Sequence, residues 1–127
     1  MDDRERKLLG LLGEETALAH LLGHGLRLLA RNYRCKMGEI DLVMLDGSTL
    51  VLVEVRYRAS NDYGGAAASV TWDKQQRLVR AAEHLLTKRA ELKRYPARFD
   101  VIAITTSPAG EAGTAPKVDW IKRAFTL

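Results

Sequence analysis

Two alternating runs around a tight turn, two helical stretches with apolar stripes, and a further strand after the second helix predict an α/β protein. The expected arrangement is an α+β one, a mixed sheet with helices packed on it. The two runs are Gly38 to Leu45 and Thr49 to Arg58, and Asp46-Gly47-Ser48 lies between them. An Asp-Gly step between alternating apolar residues is the strongest short-range hairpin signal.

Taken in order, residues from Arg4 to about Leu22 read as a first helix. Leu8, Leu11, Leu12, Leu18, Leu21 and Leu22 recur at helical spacing, and Gly10 and Gly13 are weak points. Glu14 shares a face with Ala17, Leu18 and Leu21. A carboxylate there is either partly buried for a purpose or set beside a basic group. Gly23-His24-Gly25 ends the helix, and Leu26 to about Arg34 is expected as a strand feeding the hairpin. The loop from Ala59 to Val70, with Gly64-Gly65, is the expected flexible segment near the site. Thr71 is a suitable cap for a second helix reaching about Thr87, with Leu78, Val79, Ala82, Leu85 and Leu86 as its buried stripe. Lys74 and Gln75 extend that stripe towards the N-terminus. A basic stretch from Lys88 to Arg98 reads as a solvated helix end. Tyr95-Pro96 breaks the helix, and Arg98 to Ile104 is a further strand. Ser107 to Pro116 is turn-rich, and Val118 to Phe125, with Trp120 and Ile121, is expected to pack back on the sheet as a short strand or helical turn.

At 127 residues the chain is expected to form one domain, residues 1–127, with an ordinary apolar share of 46% and charged share of 28%. Cys35 is its single cysteine. That excludes a disulfide framework and a thiolate zinc site and fits a reducing cytoplasm. The charged start and the lack of a long apolar run argue against a signal peptide or a membrane span. A net charge of +4 and a pI near 9.4 are compatible with an acidic polymer as partner.

The hairpin carries the chemistry. With Asp46-Gly47 as the turn, Leu45 faces Ser48 and Glu39 faces Glu54; a four-residue loop instead sets Asp41 opposite Glu54. Either register puts Ile40, Leu42, Met44, Thr49, Val51, Val53, Val55 and Tyr57 on one face. Glu39, Asp41, Val43, Leu45, Leu50, Leu52, Glu54 and Arg56 share the other, because only an odd shift exchanges faces. Adjacent strands are about 4.8 Å apart, so carboxylates from both can reach one hard divalent cation. The competing reading of Asp41, Glu54 and Arg56 is a cross-strand salt-bridge cluster. Glu39 is expected to pair with a nearby arginine, Asp100 to make a structural hydrogen bond, and His20, His24 and His84 to have no catalytic part.

Several blocks resemble a known group: Gly13-Glu14, Asn32-Tyr33-Arg34-Cys35 leading into Gly38-Glu39-Ile40-Asp41-Leu42, Val53-Glu54-Val55-Arg56, Lys74-Gln75, Arg98-Phe99-Asp100-Val101 and Ala124-Phe125. In this order they resemble the YraN family of small bacterial proteins. That family is similar in fold to the Holliday-junction-resolvase branch of the PD-(D/E)XK, restriction-endonuclease-like superfamily. The resemblance implies a restriction-endonuclease-like core and a cytoplasmic, metal-dependent nuclease acting on nucleic acid, with DNA as the expected partner and homodimerisation to address two strands. It places Asp41, Glu54 and Glu14 as metal ligands, Glu14 being the acidic residue of the first helix. Mg²⁺ or Mn²⁺ is the implied cofactor, with the Val55 carbonyl as a further ligand. Arg56 stands where the motif has lysine, and an arginine keeps the charge but does not surrender its proton. Lys74 is the candidate to supply the missing ammonium. Asp41, Glu54, Arg56 and Lys74 are thus the expected catalytic set. Arg56, Arg58, Lys74, Gln75 and Arg77 are the expected nucleic-acid contacts. The alternative on the same fold is a binding module or protein-interaction adaptor without chemistry.

Overall fold

A computed structural model describes residues 2–59, 70–106 and 116–125. Its order is α1 (Asp3–Gly23), β1 (Arg27–Cys35), β2 (Gly38–Asp46), β3 (Thr49–Ala59), α2 (Trp72–Lys88), a short 3₁₀ turn (Ala90–Arg94), β4 (Ala97–Thr106) and β5 (Lys117–Phe125). The five strands lie in sequence order in one sheet. β3 and β4 pair in parallel, and the other neighbours are antiparallel. A parallel pair needs a crossover, and α2 lies on that crossover. The mixed sheet with flanking helices follows the sequence expectation, and the tail is a fifth strand. The glycine pair at 64–65 and the turn-rich loop after Ser107 fall outside the described residues.

Each face of the sheet is covered by one helix. Ala17, Leu18 and Leu21 of α1 pack on Leu42, Met44, Val51, Val53, Ile102 and Ile104. On the opposite face Leu78, Ala81, Ala82 and Leu85 of α2 cover Val43, Leu45, Leu50, Leu52, Phe99 and Val101. Both faces of the central strands are therefore core, which is why β2 and β3 read as nearly unbroken apolar runs before their charges begin. The α1 stripe is only partly used: Leu18 and Leu21 are buried, whereas Leu8, Leu11 and Leu12 are more than half exposed.

The hairpin register differs from the Asp46-Gly47 expectation. Asp46 pairs with Thr49, Leu45 with Leu50 and Leu42 with Val53, so the loop is Gly47-Ser48. Gly47 has φ +60°, a left-handed conformation suited to the first position of a two-residue hairpin loop. Asp46 is drawn out of the turn by Arg98, whose guanidinium approaches its carboxylate at 2.9 Å. The shift is by an even number, so β3 keeps its faces. This is also the register that a four-residue loop was expected to give.

The face assignment fails at one residue. Ile40 lies in the α2-side core with Val43 and Leu45, not beside Leu42 and Met44. The alternation breaks at Asp41, and β1 breaks with it. Asn32 takes φ +50°, and the strand partners Arg31↔Leu42 and Tyr33↔Ile40 face different sides.

Candidate functional site

The break at Asp41 makes the site. The paired residues of β2 and β3 run from Asp46↔Thr49 to Leu42↔Val53. Leu50 N–H donates to the Pro96 carbonyl on the β4 side, so the N–H groups of Val51, Val53 and Val55 point to β2. A continued ladder would give the Val55 N–H to Ile40. Instead it donates to Asp41 Oδ2 at 2.8 Å. The two strands part beyond Leu42, and a carboxylate occupies the opening.

Glu54, one residue before Val55, is buried on the α2 side. Lys74 Nζ is 3.2 Å from Glu54 Oε1, and Arg56 Nη1 is 3.8 Å from the same oxygen. Thr71 caps α2 by accepting the Lys74 N–H through its hydroxyl at 3.2 Å, which fixes the first turn carrying that ammonium. Gln75 is half-buried and donates its side-chain amide to the Val70 carbonyl at 3.0 Å. It anchors the chain just ahead of the helix. From the other face α1 contributes Glu14, whose Oε1 is buried and has no hydrogen-bond partner.

These carboxylates oppose one another. Burial first, then the neighbouring Glu54, pushes the Asp41 carboxyl up to about 8, while the Val55 N–H pulls the other way. Glu14 and Glu39 add further repulsion. The residues suit a hard cation: oxygen donors only, mutual repulsion that a positive ion relieves, and an orphaned carboxylate oxygen nearby. Among the described residues no three His, Cys, Asp or Glu are gathered at metal-binding spacing. A cation held here by Asp41 and Glu54 would complete its shell largely with water, as Mg²⁺ commonly does.

The structure brings Asp41, Glu54, Arg56 and Lys74 together, with Glu14 contributing charge from the opposite helix. Salt bridges to Glu54 are present as the competing reading expects, but they leave the Asp41 repulsion in place. Arg77 stands apart from this cluster, exposed on α2 against the β1–β2 turn. Arg58 pairs with Thr105 through its backbone, and its side chain lies outside the described residues. Glu39 pairs with Arg34 at 3.1 Å. Asp100 is fully buried and structural: it accepts from Arg98 Nε, from Trp120 Nε1 at 2.9 Å and from the Arg123 N–H at 3.0 Å.

Sequence reasoning missed two features. Trp72, the first residue of α2, is 69% exposed two residues before Lys74, an indole that the buried stripe does not use. The β1–β2 turn at Lys36-Met37 places the exposed Lys36 beside Arg77. The signal for the turn was its position between two strands, with Gly38 directly after it.

Fold and site together define a mixed α/β domain with opposed carboxylates at an interrupted hairpin and a helix-borne ammonium beside them. The chain belongs to UPF0102, described as an uncharacterised protein family, whose family model matches residues 13–104. This is the YraN-like family that the sequence resembles. The matched span includes every candidate site residue. UPF0102 proteins similar to this chain include one from Saccharophagus degradans, 50% identical over 118 residues and covering 93% of this chain and 92% of the relative. One from Pseudomonas fluorescens is 48% identical over 112 residues, covering 88% of each. Another, from Pseudomonas entomophila, is 46% identical over 125 residues, covering 98% of each.

Proposed function

We propose that the protein binds nucleic acid and hydrolyses phosphodiester bonds of DNA with a divalent cation, Mg²⁺ or Mn²⁺, held by Asp41 and Glu54. The observation that carries this reading is Asp41 in the gap between β2 and β3, its charge opposed by Glu54 and Glu14. A cluster whose carboxylates repel one another favours a positive guest. When bound, such an ion polarises the scissile phosphate and lowers the pKa of a coordinated water. Asp41 gives up its proton on binding the ion and stays oriented by the Val55 N–H. The Arg56 guanidinium offsets charge on the non-bridging phosphate oxygens but, keeping its proton, takes no part in proton transfer. Lys74 is the one ammonium shown at the cluster among the described residues, 3.2 Å from Glu54, and is assigned the role of steadying the phosphate and the attacking water.

No helix of the described residues is long and apolar enough to cross a membrane. A second copy of the chain, needed if both strands are cut together, would use the exposed stripe Leu8, Leu11 and Leu12. Incubating supercoiled plasmid and a four-way junction with the protein and Mg²⁺ or Mn²⁺ tests the reading. Cleavage is expected from wild type and not from Glu54→Ala. No cleavage of either substrate by wild type, or equal cleavage by the variant, contradicts it. A second reading is favoured by Arg56 and by the two ion pairs that already engage Glu54. On it the same surface binds nucleic acid without cutting. It predicts salt-sensitive binding that survives in Glu54→Ala, with no cleavage.

A further inference from the structure

A second basic feature lies outside the carboxylate cluster. Strands β1 and β2 are joined at Lys36-Met37, where Cys35 pairs with Gly38. The turn is pressed against α2: a Cβ at Gly38 would collide with the Arg77 carbonyl oxygen. Only glycine permits this approach, so the turn is fixed against the helix. Between them is an open cleft of about 480 Å³, lined by Arg34, Lys36, Met37, Glu39 and Arg77 among others. Three cations stand there against a single carboxylate. The Arg34–Glu39 pair has both members more than half exposed, so it contributes little to stability. Glu39 engages the guanidinium through Nε, and a guanidinium carries four further N–H donors on its terminal nitrogens.

Resting on the proposed function, we infer that this cleft is a second phosphate-binding station, gripping the duplex DNA backbone beside the scissile site through Arg34, Lys36 and Arg77. Arg77 follows Lys74 by three residues, about 4.5 Å along the helix axis. A strand held at Lys74 therefore passes Arg77 within a nucleotide or two. Arg34, Lys36 and Arg77 line a cleft that is open to solvent and not a closed pocket, which suits an extended polyanion better than an enclosed small anion. Bound at both places, the backbone is held on either side of α2's first two turns, and Lys36 acts as a positioning residue for the bond to be cut.

The test is fluorescence anisotropy of a labelled DNA duplex across a salt series. It compares wild type with Lys36→Glu, the Arg34→Gln/Lys36→Gln pair, and Lys117→Glu on the far edge strand as a control. All these side chains are exposed, and matching thermal midpoints establish that each variant is folded. The expected result is binding weakened about tenfold or more by Lys36→Glu, and a salt slope reduced by roughly one for each phosphate contact removed. Lys117→Glu should leave both unchanged. Wild-type binding with the same affinity and slope in the cleft variants overturns the inference and leaves the proposed function standing. Absence of any salt-dependent binding by wild type overturns both.

Discussion

Asp41 is the residue on which the proposed chemistry turns, and its environment has a measurable cost. Burial and the nearby carboxylates raise its pKa to about 8, well above its ordinary range near 4. Between those values the folded protein holds a proton that the unfolded chain has released, so stability falls as pH rises from about 4 to about 8. Asp41→Asn keeps an acceptor for the Val55 N–H and removes the ionisation. The variant should be more stable than wild type by about 1–3 kcal/mol at pH near 8, and the difference should shrink towards pH 4. Urea unfolding at several pH values measures this; a pH-independent difference contradicts it. Asp100 is the opposite case, a fully buried carboxylate whose donors are all in place. Asp100→Ala leaves Arg98 and the Trp120 indole short of an acceptor and should cost about 3–5 kcal/mol in the same experiment.

At the scale of elements, the hairpin and α2 set the site, and Gly38 couples them. Gly38→Ala puts a methyl group into the Arg77 carbonyl, so either the turn or the first half of α2 must move. The expected cost is about 1–3 kcal/mol. A loss of DNA affinity should accompany it, because Lys74 and Arg77 shift together; circular dichroism melting and anisotropy read the two effects. The β3 faces were legible in the sequence because strand alternation survives any even error in register. The choice between the two expected registers was not legible. It depends on Arg98 capturing Asp46 from 52 residues away, a contact that no local pattern announces. The swing of Ile40 to the α2 side was hidden for a related reason. The break in alternation occurs at Asn32 and Asp41, and although both polar residues stand out in the sequence, nothing local shows that the backbone changes face there. The residues of the candidate cluster were thus readable before their arrangement was, and the gap that Asp41 fills emerged only with the backbone.

For the whole molecule, five strands in sequence order bring acidic groups from α1, β2 and β3 to one place and basic groups from α2 and the β1–β2 turn beside it. The leucines of α1 extend past the sheet that its second half covers. Their spacing gave the helix correctly but gave no indication of where the sheet ends. If they join two copies, sedimentation equilibrium should show a dimer that Leu8→Glu/Leu12→Glu converts to monomer, with the melting curve of the monomer intact. A wild-type monomer at every accessible concentration contradicts this. The central claim concerns the cation, and calorimetric titration of Mn²⁺ into wild type and Asp41→Asn addresses it directly. At neutral pH wild type should bind with a heat that varies with the buffer's ionisation enthalpy, because Asp41 releases a proton as the ion enters, and Asp41→Asn should lose that dependence and most of the affinity. Absence of binding by wild type, or identical titrations for the two proteins, would contradict the account.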